Sequence, residues 1–121
     1  MKEETGRWVD RAKDHLRKAC DNFQLENHDL ASFLCHQVVE LALKAFLIET
    51  TGRFPRSHDL VQLGRLVGID ADLLQGCKSL TPVYTEARYP DVGAGGYTAE
   101  ETEQSIVFAE RVLKWILERI S

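Results

Sequence analysis

The sequence predicts an all-α fold: a five-helix bundle with an up-down antiparallel core and a short third helix. Three observations carry this. Apolar residues recur at steps of three and four along most of the chain, the period of one helix face. Caps and breakers fall between these stripes rather than inside them. No stretch of useful length alternates apolar and polar residues as a half-buried strand does, and no internal repeat or low-complexity segment intervenes.

The first stripe is Trp8, Ala12, Leu16, Ala19 and Phe23, which predicts a helix from about residue 3 to about 24. Asn27 or Asp29 caps a second helix running to about Thr51, where Gly52 supplies the stop. That helix is apolar over most of its circumference, through Leu30, Phe33, Leu34, Val38, Leu41, Leu43, Ala45 and Phe46. Such a helix is buried in a bundle or shared with a partner. Gly52 to Ser57 reads as a loop broken by Pro55, and Ser57 is the expected N-cap of a short helix through Val67. Leu60, Leu63 and either Leu66 or Val67 should face inward, with Gly68 at the end. Asp70 is the expected cap of the fourth helix. Its stripe of Leu73, Cys77, Leu80, Tyr84 and Ala87 continues through Pro82, which predicts a kink or a restart at Thr81-Pro82, and Pro90 ends it. Residues 91–96 read as a glycine-rich loop. Thr98 and Glu101 form a capping box for the last helix, with Ile106, Ala109, Leu113, Ile116 and Ile120 inward and Val112 and Trp115 widening that face.

A chain of 121 residues, 44% hydrophobic and 28% charged, is one domain's worth, so a single domain is expected over residues 1–121. A net charge of -4 lacks the basic footprint of non-specific nucleic-acid binding, though it leaves room for a small, locally basic site. Cys20, Cys35 and Cys77 lack the spacing of a zinc site or redox dithiol and sit among apolar residues, so core thiols and a reduced, cytoplasmic setting are expected. The N-terminal stretch is charged throughout, unlike a signal peptide. The long apolar run from Leu30 to Ile48 contains His36, Gln37, Glu40 and Lys44, which argues against a membrane span. The four histidines are too dispersed to predict a metal site, and GAGG lacks the lysine and upstream strand of a phosphate loop.

Two groups of residues are candidates for chemistry. On the second helix Ser32, His36, Glu40 and Lys44 follow one another at steps of four, with Asp29 and Gln37 alongside, so one edge is polar. That edge is either solvated, with a Glu40–Lys44 pair, or the wall of a groove; the solvated reading is the expectation. At the end of the fourth helix Arg88 stands between Tyr84 and Tyr89, before the glycine-rich loop. Arg88 is either a helix-end cation favoured by the dipole or a planar fork for phosphate flanked by rings on which a base can stack. Arg53 and His58 also form an Arg-x4-His pair in the loop before helix three. There the plainer expectation is that the His58 ring hydrogen-bonds a neighbouring helix while Arg53 is solvated.

In order and spacing these features resemble a HEPN domain, the helical module named for higher eukaryotes and prokaryotes nucleotide binding. The matching pieces are Trp8 with Ala12, then Gln37, Glu40, Lys44 and Ala45 in the pattern Q-x-x-E-x-x-x-K-A. Ser57-His58-Asp59-Leu60 and the run from Tyr84 to Asp91 complete the match. The resemblance implies a bundle that is usually dimeric and often encoded beside a minimal nucleotidyltransferase. Several branches are metal-independent ribonucleases, many of them toxins, with an Arg followed after four to six residues by a His. Arg88 stands where that Arg would be, but Gly93, Ala94 and Gly95 occupy the places of the His, and none transfers a proton.

The resemblance therefore implies a non-catalytic nucleotide- or RNA-binding module. It would form a homodimer, work with a separately encoded nucleotidyltransferase, and need no cofactor or metal. The expected ligand-binding residues are Arg88, Tyr84, Tyr89, His58, Gln37, Glu40 and Lys44. The alternative is a metal-independent ribonuclease toxin of a toxin-antitoxin pair, with Arg88 and His58 (or His36) as the catalytic candidates.

Overall fold

A computed structural model of the chain describes residues 1–86 and 96–121. The described residues form helices only: α1 (Glu3–Gln24), α2 (His28–Thr51), α3 (Leu60–Val67), α4 (Ala71–Leu80), α5 (Val83–Glu86) and α6 (Ala99–Ile120). Taken as one interrupted element, α4 and α5 are the fourth of the five predicted helices. Pro82 has no N–H to continue the ladder, so α4 stops at Leu80 and the Tyr84 amide reaches back to the Thr81 carbonyl at 3.3 Å. The apolar stripe survives the break, because Leu73, Cys77, Leu80 and Val83 are all buried.

Helix α2 is the hub. It packs against α1 along its length, against α6 on another side, and against α3 and α5 near the polar edge. Ala12 and Ala19 are fully buried, and their small side chains let α1 lie close to α2. The Lys2 amide donates to Glu49 at 2.8 Å, which ties the start of α1 to the end of α2 and makes the pair antiparallel. Between them Glu26 takes a left-handed conformation (φ 63°), which reverses the chain within three residues. The start of α6 meets the start of α2, where Ser32 and Thr102 share a buried hydroxyl–hydroxyl bond of 2.9 Å. The segment α3–α5 carries the chain back to make this possible.

By length and composition α2 is apolar enough to cross a membrane, but 72% of its most apolar window is buried in the bundle. The core accounts for its hydropathy. Among the described residues Leu30 is the large hydrophobic that α2 leaves exposed, while Phe33, Leu34, Leu41 and Phe46 are half-buried.

The caps are partly as expected. Thr98 and Glu101 form the reciprocal capping box, and Gly52 and Gly68 end α2 and α3 in the left-handed conformation, both at φ 80°. The cap of α3 is Asp59 rather than Ser57: its carboxylate accepts from the amides of Val61 and Gln62. Ser57 sits just upstream and accepts from the Asp59 amide at 3.0 Å. Asp70 precedes α4, but its carboxylate accepts from the Trp115 indole at 3.3 Å rather than from the helix. Val67 rather than Leu66 turns inward. Cys35 and Cys77 are core thiols, and burial pushes both up to about 12. Cys20 is exposed on α1, contrary to expectation, because it follows the buried Ala19 and turns off the apolar stripe.

Candidate functional site

The polar edge of α2 is not solvated. Ser32 and His36 are fully buried, and Glu40 and Lys44 are 6% and 5% exposed. The period of four aligned these side chains, but it could not say which element lies over them. The cover comes from α3's leading loop, α5 and the start of α6. Asp29, at the head of the line, accepts from the Tyr97 amide at 2.8 Å and so anchors the approach to α6. Gln37 is half-buried beside the line.

Glu40 is the centre of the arrangement. Its Oε2 accepts from Lys44 Nζ at 2.8 Å, one turn along the same helix. His58 Nδ1 lies 3.0 Å from Oε1 and 3.1 Å from Oε2. A carboxylate only accepts, so His58 donates from Nδ1 and its Nε2 is the nitrogen turned away from Glu40. The His58 side chain is 53% exposed, so the imidazole bridges a buried ion pair and the surface. Its ring stacks on Tyr84 with centroids 4.4 Å apart and planes at 15°.

His36 holds the other side of this residue. Its Nε2 is 3.1 Å from the His58 carbonyl, and a carbonyl only accepts, so His36 carries a hydrogen at Nε2. Its Nδ1 is buried without a hydrogen-bond partner, 3.8 Å from Glu40 Oε1. Burial lowers His36 to about 4, against the opposing pull of Glu40, so the ring is neutral at physiological pH. On the far side Lys44 Nζ lies 5.2 Å from the centroid of Phe54, whose ring meets Trp8 edge-on at 4.7 Å.

Four predicted site residues therefore come together: Glu40, Lys44, His58 and Tyr84. Gln37 borders the group. Arg88 and Tyr89, with residues 91–95 of the glycine-rich loop, lie outside the described residues. Arg53 is exposed, as expected, on the rim of a groove shared with Leu47, Phe54, Pro55 and Leu66. His36, weighed in the sequence only as a secondary catalytic candidate, is instead a neutral buried tether. The signal for it was present in the Ser32–His36–Glu40–Lys44 spacing. A cleft of about 290 Å³ lies elsewhere, between α4, α5 and α6, lined by Gly76, Leu80, Val83, Tyr97 and Phe108. It is mainly apolar and does not include His58.

A buried Glu–Lys pair on a central helix, with a loop histidine stacked across it, sits in a bundle whose family model spans residues 5–120 and is that of the HEPN domain. The chain belongs to the HEPN family. Two solved structures are similar over all or nearly all of their length. TT1696 from Thermus thermophilus shares 26% identity, with a TM-score of 0.87 over 97% of this chain and 98% of that one. ST0689, described as an archaeal HEPN homologue, shares 32% identity, with a TM-score of 0.84 over 100% of both chains. No curated protein sequence matches this HEPN chain.

Proposed function

We propose that this HEPN chain is a non-catalytic nucleotide- or RNA-binding module that acts in the cytoplasm as a homodimer. It works with a separately encoded minimal nucleotidyltransferase, which supplies the metal-binding carboxylates and phosphate loop of the pair. The supporting observation is the fixed, half-exposed His58–Tyr84 stack over the buried Glu40–Lys44 pair. Rings already held in place lose little freedom on binding, and an aromatic platform accepts any base. Glu40 and Lys44 cancel one another, so the platform adds no field of its own to a chain of net charge -4. Phosphate recognition then falls to a few placed groups, of which Arg88 and Tyr89 are the candidates, and binding is weak.

Isothermal titration with adenosine 5′-monophosphate and a short RNA tests this reading. Arg88→Ala should weaken binding by about 1.5–3 kcal/mol, the scale of a charged hydrogen bond, with the helical circular dichroism unchanged. Unchanged binding would leave Arg88 as a helix-end cation.

A specific observation favours a second reading, the metal-independent ribonuclease toxin. A carboxylate bonded to Nδ1 with Nε2 turned outward is how a general base is oriented. On the first reading, the purified protein cleaves RNA poorly. Robust metal-free cleavage, lost in both Arg88→Ala and His58→Ala, would overturn that reading and install the ribonuclease.

A further inference from the structure

A neutral imidazole has one N–H and one lone pair, and its surroundings decide which nitrogen carries which. At His58 the decision falls to Glu40, whose two oxygens both lie within hydrogen-bond reach of Nδ1. Glu40 is not free to turn, being buried and held through Oε2 by Lys44. The backbone of His58 is fixed as well, by the bond from His36 Nε2 to its carbonyl. Tyr84 covers one face of the ring. Besides its open face, what the ring offers a ligand is its Nε2 edge. In the neutral ring that edge is a lone pair, which attracts a hydroxyl or amine hydrogen and repels a phosphate oxygen.

We infer that Glu40 is a positioning residue that keeps the hydrogen of the neutral form of His58 on Nδ1, and that the ligand group meeting the Nε2 lone pair of that form is a hydrogen-bond donor, a ribose hydroxyl rather than a phosphate oxygen. The ribose part rests on the nucleotide-binding reading; the tautomer does not. Glu40, Lys44 and His36 on α2 and Tyr84 on α5 are the groups that build the arrangement.

The tautomer is read on the full ¹⁵N-labelled chain by long-range ¹H–¹⁵N correlation at pH 8, above the ordinary histidine range. His58 should show a protonated Nδ1 and an unprotonated Nε2. In Glu40→Gln the single amide oxygen should go to the charged Lys44, which turns the amide NH2 toward Nδ1. The hydrogen should then move to Nε2, an outcome that a merely structural role for Glu40 would not produce. A wild-type spectrum with the hydrogen on Nε2 overturns the inference, and this holds even if Glu40→Gln fails to fold.

The ligand is tested with adenosine 5′-monophosphate and its 2′-deoxy and 3′-deoxy analogues. One of the two analogues should bind about tenfold more weakly, the factor that about 1.4 kcal/mol represents. Equal binding of all three overturns the ribose assignment and leaves nucleotide binding standing. Failure of all three to bind removes the nucleotide reading and the ribose assignment together, while the spectrum still decides the tautomer.

Discussion

Replacing Glu40 with Ala should cost far more than its two hydrogen-bonding partners suggest one by one. Lys44 is 5% exposed and bonded to Glu40 at 2.8 Å, so the substitution leaves an ammonium buried opposite nothing. Removing one partner of a buried pair costs about 3–5 kcal/mol, because the stranded charge keeps its desolvation penalty. For a chain of this length each kcal/mol moves Tm by roughly 3–5 °C, so Glu40→Ala should melt about 10–20 °C below the wild type. The double variant Glu40→Leu, Lys44→Met removes both charges and fills much of the same volume. It should lie within about 1 kcal/mol of wild type, since His58 is half-exposed and water can replace its lost partner. Urea unfolding followed at the helical circular dichroism band measures all three proteins, with the slope checked for constancy. The reasoning fails if Glu40→Ala costs less than about 1 kcal/mol, or if the double variant is as unstable as the single one.

Two further outcomes follow from the packing and the titration. A Cβ added at Gly76 would overlap the Phe108 ring, so Gly76→Ala should destabilise by about 1–3 kcal/mol through overpacking of α4 on α6, measured by the same unfolding curves. His36 has a folded value of about 4 against an ordinary 6.5, so between those values the unfolded chain binds more protons and stability falls as pH drops. Burial lowers His15 too and adds in the same direction. Wild-type stability should decline by up to about 3 kcal/mol from pH 7 to pH 4, and His36→Leu should flatten that decline; an equal slope in both proteins would exonerate His36.

The helices were legible because each is amphipathic enough to print its period on the sequence. Leu60, Leu63, Ile106, Ala109, Val112, Leu113 and Ile116 were placed inward by spacing alone, and all are buried. The α3 cap was misplaced because Ser57-His58-Asp59 offers two good caps two residues apart, and only the backbone decides between them. The edge of α2 was misread for a different reason. Polarity at a period of four is the mark of a solvated face, and Glu40 with Lys44 satisfies that pattern while lying under His58 and Phe54. Whether a polar line is wet depends on what packs over it, and here the cover comes from segments distant along the chain. The pairing of Glu40 with His58, 18 residues apart across a loop, has no local signal at all.

The motif residues that seemed scattered along the sequence are physically continuous. Trp8 meets Phe54, Phe54 lies beside Lys44, Lys44 bonds Glu40, Glu40 bonds His58, and His58 stacks on Tyr84. This series of contacts joins α1, α2, the α2–α3 loop and α5, so a change anywhere in its middle disturbs both the bundle and the surface it presents. Loss of binding in a Glu40 or Lys44 variant therefore does not place that residue at a ligand. His58 differs from the buried members of the series, because its side chain is half-exposed and its removal leaves the Glu40–Lys44 pair closed. A deficit in His58→Ala at unchanged stability is thus the one that reports contact with the ligand rather than the state of the fold.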